Sequence, residues 1–234
     1  MAGYREHISV SGVLGAFYGV GSVLVFGFSP VQGALAGILT WVAGMLPDLD
    51  SQTGKPVREI SSLIAAVVPL VMMQHLLGWA SDTETAVLLG VLTYALIRYG
   101  GAMLLAKVSV HRGMFHSIPA LLIAAEVAYL GYKHDSIYVK SLMAGGVALG
   151  FFSHLLLDEV YSVEWTGVRL KLNKAAGSAL KYVGKRLVPN VITYALLALF
   201  TYAILIDIGL IQDPVNNGLT PLLQHATEQL PARQ

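Results

Sequence analysis

Residues 139–158 read VKSLMAGGVALGFFSHLLLD. From 141 to 153 the stretch carries no formal charge, and it then closes on an imidazole and a carboxylate, His154 and Asp158. About 17–25 apolar residues cross the hydrocarbon of a bilayer as a helix, so this run predicts a membrane span with a polar end. Spacing of four places His154 and Asp158 on one helix face. There they can share a metal ion, or simply hydrogen-bond at the helix end, and the motif alone leaves both readings open.

The pattern of an apolar run with a polar end recurs along the chain. The runs are 11–28, 30–46, 61–80, 85–107, 117–132, 139–157 and 190–211. The expectation is an all-α, polytopic membrane helix bundle of about seven spans, with 30–46 and 117–132 the short ones. Composition agrees: 55% of the 234 residues are hydrophobic, 12% are charged, and mean hydropathy is +0.65. Soluble domains carry about 25% charge. Run 11–28 is longer than a signal-peptide core and ends in Phe-Ser-Pro, so it reads as a retained first helix. Gly33-x3-Gly37 and Gly146-x3-Gly150 read as close helix packing. The chain divides into a membrane-embedded core over 1–159, a basic segment over 160–189, a last span over 190–212 and a tail over 213–234.

Hairpin connections bring the polar ends to one side. His7 precedes the first span, and the turn at Ser29-Pro30 returns the chain so that Asp48 and Asp50 end the second on the starting side. Lys107–His116 and the His154–Asp158 pair follow on that side. The basic residues Arg5, Lys55, Arg58, Lys107, Arg112, Arg169, Lys171, Lys174, Lys181, Lys185 and Arg186 fall there too, and the opposite loops hold Lys133 and Lys140. By the positive-inside rule the motif side is cytoplasmic. Residues 160–189 alternate Lys with Leu, Val and Tyr and include Trp165. They suit a segment lying at the headgroups, or a basic linker that only enforces topology. His75, His134 and His225 fall away from the motif side and read as structural or solvated.

Met45-Leu46-Pro47-Asp48-Leu49-Asp50 closes the second run. Two carboxylates so close repel unless a cation or proton lies between them, and a helix C-terminus adds to the conflict. A solvated turn is the plainer reading. His111-Arg112-Gly113-Met114-Phe115-His116-Ser117 precedes the fifth run. Gly113 suggests a loop that turns both histidines toward one site, with Ser117 as helix cap and Pro119 in the first turn. Arg112 beside a helix N-terminus suits a phosphate. Without cysteine, any metal must be held by His and carboxylate, a donor set that fits catalysis better than structure. Candidates this numerous exceed one zinc shell and suit two or more divalent ions, a common arrangement for phosphoester hydrolysis.

These residues together resemble the YdjM-like family, described as metal-dependent hydrolases of the inner membrane and sometimes as LexA-binding. The matching residues are His7, Leu-Pro-Asp-Leu-Asp at 46–50, His-Arg-Gly-x-x-His-Ser at 111–117 and Ser-His-Leu-Leu-Leu-Asp at 153–158. Phe115 departs from the smaller polar residue often found there. The family is distantly similar to zinc-dependent phospholipase C and P1-type nucleases, which implies a helical core binding several zinc ions. The resemblance implies His7, Asp48, Asp50, His116, His154 and Asp158 as ligands, and His111 as a ligand or a nearby base. His111, Arg112 and Asp50 are the candidate catalytic residues. The implied cofactor is Zn2+ in two or three ions, with Mn2+ or Mg2+ as alternatives.

Arg98 and Glu126 are charges at similar depth within two successive runs, and they predict a structural ion pair, with a substrate-binding Arg98 as the alternative. The function that fits best is hydrolysis of a phosphoester, a lipid headgroup included, at the cytoplasmic membrane face. The partners are then membrane lipid and that substrate, with a soluble protein at 160–189 as a further candidate. Nothing in the sequence points to nucleic acid. A metal-braced scaffold or regulator and a divalent-metal transporter are the competing classes.

Overall fold

A computed structural model describes residues 3–50, 55–101, 114–165, 170–172, 180–184 and 186–212. Helix α1 (Tyr4–Phe26) and helix α2 (Pro30–Ala43) form a tight hairpin. Gly27 ends α1 in the left-handed conformation, which glycine adopts without a Cβ clash. Ser29 and Gln32 then form a reciprocal capping box, with Pro30 at the first helical position. The Ser29-Pro30 turn read from the sequence is therefore a cap as well as a reversal.

The two backbones run almost in contact. A Cβ on Gly19 would lie 2.5 Å from the Gly33 carbonyl oxygen, and one on Gly37 would lie 2.7 Å from that of Gly15. Helix α7 (Ile137–Val160) packs on α2 beside α1 in the same way. A Cβ on Gly146 would lie 2.8 Å from the Ala36 carbonyl, and one on Gly150 would collide with that of Thr40. Both small-residue motifs thus serve close packing. Between α2 and α7 lies the main core of Ala36, Leu39, Ala43, Val139, Leu142, Met143 and Val147. Helix α6 (Ile118–Gly131) closes a second core with α7 through Leu121, Phe151 and Leu155. Helix α8 (Leu187–Asp207) lies against α6 and buries none of its own residues.

The remaining elements form a second group. Helix α3 (Lys55–Val71) contains Pro69, which removes a backbone donor and crowds the preceding turn. The chain bends by 58° between Ser61–Val71 and helix α4 (Met73–Trp79). Helix α5 (Thr83–Ala95) starts at Asp82, whose carboxylate accepts from the Thr85 N–H at 2.7 Å and the Ser81 hydroxyl at 2.8 Å. Those bonds hold the Asp82 carboxyl below its ordinary range. A π-helical turn follows over Leu96–Gly101 and packs on α3.

The architecture is helical, with one small departure. Strands β1 (Val163–Trp165) and β2 (Leu170–Leu172) pair antiparallel within the basic segment, where no ribbon was expected. Among the described residues, four helices are long and apolar enough to cross a membrane: Tyr4–Phe26, Pro30–Asp48, Ile137–Val160 and Leu187–Asp207. The bent pair makes five if it counts as one span. At 14 residues, α6 rises about 21 Å, short of a ~30 Å hydrocarbon core. Part of run 85–107 lies outside the described residues.

Two polar expectations need correction. Glu126 does not meet Arg98: its Oε1 accepts from the Thr201 hydroxyl of α8 at 2.6 Å, and the Arg98 guanidinium lies 5.6 Å from the Tyr99 ring centre. Depth was matched, but the neighbour of α6 on that side is α8. Lys140 is not a loop residue. It sits buried in the first turn of α7, bonded to Asp207 and 4.4 Å from the Tyr129 ring centre. His75 is half-buried with Nε2 3.2 Å from the Leu130 carbonyl, and exposed His134 accepts from the Ser136 N–H. His225 lies outside the described residues.

Candidate metal centre

The start of α1, the end of α2, the start of α6 and the end of α7 meet at one end of the bundle. His7 sits in the first turn of α1. Asp48 lies in a 3-10 turn, Leu46–Asp50, that extends α2. His116 stands just before the Ser117 cap of α6, whose hydroxyl accepts from the Ala120 N–H. His154 and Asp158 share one face of α7. Four of the five are almost fully buried, with His154 at 0%, His7 at 2% and His116 and Asp158 at 4% exposure. The Asp48 side chain keeps 30% of its surface.

Distances between donor atoms are short and similar. His154 Nε2 lies 3.6 Å from Asp48 Oδ1 and 3.8 Å from Asp158 Oδ2. His116 Nε2 lies 3.9 Å and 3.8 Å from the same two oxygens. Around a tetrahedral ion with bonds of about 2.0–2.2 Å, neighbouring donors stand roughly 3.3–3.6 Å apart. The separations within the group of Asp48, His116 and His154, and those from Asp158 to the two imidazoles, are at or slightly above that spacing. His7 Nε2 meets the other oxygen of Asp158, Oδ1, at 3.3 Å. Its ring stacks on that of His154 with centres 3.6 Å apart, and His116 meets His154 edge-on at 5.5 Å.

His154 is oriented from behind. Its Nδ1 lies 2.8 Å from the Gly44 carbonyl oxygen, so Nδ1–H donates there and the lone pair is left on Nε2. Gly44 ends α2. A Cβ on it would collide with Ser11, which is fully buried and bonds the Trp41 carbonyl at 3.1 Å. The absence of a side chain there lets the α2 carbonyl reach the ring.

Among the described residues, His154 Nε2 and both Asp158 oxygens are buried without a hydrogen bond. Burying such groups unsatisfied costs about 1–3 kcal/mol each, more for a charge. A divalent cation would satisfy a carboxylate and several imidazole lone pairs at once, so the donor set fits a metal. Among the described residues, two His/Asp groups are close enough to hold one: His7 with His154 and Asp158, and Asp48 with His116 and His154. Because Gly44 occupies Nδ1, His154 offers one nitrogen and can serve only one ion.

His111 and Arg112 lie outside the described residues, as does the side chain of Asp50. Sequence reasoning missed Gly44 and Ser11. Both contribute through backbone direction and small size, which no pattern of chemical side chains signals. No curated protein and no solved structure matches the chain. Residues 6–172 match the family described as YdjM inner membrane protein, and over that length, well beyond half of its 234 residues, the chain belongs to it.

Proposed function

We propose that this chain is an integral membrane metal-dependent hydrolase acting on a phosphoester, a lipid headgroup included, at the cytoplasmic membrane face. The observation that carries the reading is the pair of donor groups that share His154: Asp48 with His116, and His7 with Asp158. Zn2+ is the first choice of ion, since imidazole and carboxylate donors suit it and a group of three leaves the fourth position open to water or substrate. A second ion would be held by His7 and Asp158, with Asp50 as a further ligand and His111 as a ligand or a nearby base. Fold-level likeness to zinc-dependent phospholipase C and P1-type nucleases, and a topology of about seven crossings, belong to the same proposal.

A divalent ion bound there supplies Lewis-acid polarisation of a phosphoryl oxygen and activation of water. The chain's residues do the rest. Gly44 fixes the His154 tautomer, and the close packing of α2 on α7 sets the distance from Asp48 to His154. Asp48 is the most exposed of the five and marks the side from which substrate reaches the site. Arg112 holds the phosphate.

The test is purified protein, with Zn2+ or Mn2+, against panels of phospholipids and phosphodiesters. Turnover that chelation stops and that His154→Ala abolishes supports the reading. Metal-free protein, or turnover indifferent to both, overturns it. The depth of burial favours one competitor, a non-catalytic metal brace, because catalytic ions keep an open position. Under that reading the wild type binds metal, loses thermal stability on chelation and turns over nothing.

A further inference from the structure

The family match ends at residue 172, yet structure beyond it reaches back to the loop that carries His116. The Ile118 N–H donates to the Lys181 carbonyl at 3.1 Å, and Ser117 and Lys181 pair as a parallel bridge. Three residues on, Gly184 is clamped by one side chain of α8. Its N–H donates to Asn190 Oδ1 at 2.7 Å, and its carbonyl accepts from Asn190 Nδ2 at 2.8 Å. A Cβ on Gly184 would lie 3.1 Å from both Asn190 Oδ1 and Met114 Sδ, so clamp, glycine and ligand loop are packed together. Met114 in turn accepts from the Ser117 hydroxyl through its carbonyl.

The chain of contacts runs from Asn190 through Gly184 and Met114 to Ser117, and His116 stands between the last two. We infer that residues 180–184 form a strap, pinned to α8 by Asn190, that sets the position of His116 in the metal centre. Asn190 is then a positioning residue outside the region matched by the family, acting through His116. The inference rests on the metal reading proposed above. Its logic is that of an outer partner that orients a ligand, whose loss weakens metal binding by about 10–100-fold.

The experiment measures Zn2+ affinity of the full chain in detergent by competition with a chelator. Asn190→Ala should weaken binding by about 10-fold or more. Asn190→Asp, which keeps the acceptor for the Gly184 N–H, should fall between it and wild type. Thr201→Val, which breaks a different contact of α8, should leave the affinity unchanged. In a His116→Ala background Asn190→Ala should add nothing further, because the residue it positions is gone. Equal losses from Asn190→Ala with and without His116, or no loss at all in a zinc-binding wild type, would overturn the strap. A wild type that binds no zinc refutes the metal reading itself.

Discussion

Asp207 and Asp158 each stand near the C-terminus of a helix, where a carboxylate opposes the helix dipole, yet their surroundings are opposite. Asp207 is held by the Lys140 ammonium and accepts from the Tyr129 hydroxyl at 3.0 Å. Its side chain keeps 36% exposure, and its cation is built into the chain. Asp158, at 3% side-chain exposure, is ringed by His7, His116 and His154. Among the described residues it pairs with no Lys or Arg. One end of the bundle neutralises its own charge. The other gathers imidazoles around a buried carboxylate whose charge a divalent cation would balance. That asymmetry, rather than the number of histidines, separates a structural ion pair from a candidate metal centre.

The comparison can be broken most forcefully at His154. His154→Ala removes the ligand common to both donor groups and should lower metal affinity by at least ~100-fold, read by elemental analysis and chelator competition. Retention of metal at wild-type level would mean that the two ends do not differ as described. At the opposite end, Asp207→Asn leaves Lys140 buried without its counter-charge and should cost about 2–3 kcal/mol in thermal or denaturant unfolding, with metal content unchanged. The double change Lys140→Met with Asp207→Leu should recover most of that loss, since an apolar pair replaces a buried ionic one at little cost. No such apolar rescue is expected for His154 with Asp158, where both partners serve the ion. Thr201→Val is the mildest probe. A hydrogen bond between membrane helices is worth about 0.6 kcal/mol, and only α8 docking should respond.

Much of this was legible in the sequence wherever a pattern had a local cause. Long uncharged runs became α1, α2, α7 and α8, and the Ser29-Pro30 signal became a cap. His154 and Asp158 share a face because a helix repeats that way. Features decided by neighbours were not legible. Lys140 reads as a loop cation until Asp207, far along the chain, is placed beside it. Arg98 and Glu126 were matched by depth, but depth says nothing about which helix lies alongside, and Thr201 took the place. Pro69 is visible in the run 61–80, but the 58° bend that follows it depends on how α4 and α5 pack. The Gly44 carbonyl is a backbone group, present at every residue, and only the fold singles it out.

His7 lies in the first turn of the chain's first helix, and Asp158 in the last turns of α7. During synthesis the imidazole leaves the ribosome well before its carboxylate partner. On the metal reading, the donor groups are complete only once α7 has docked against α2. Loading would then report assembly of the bundle, and zinc uptake during cell-free insertion into vesicles would time that event.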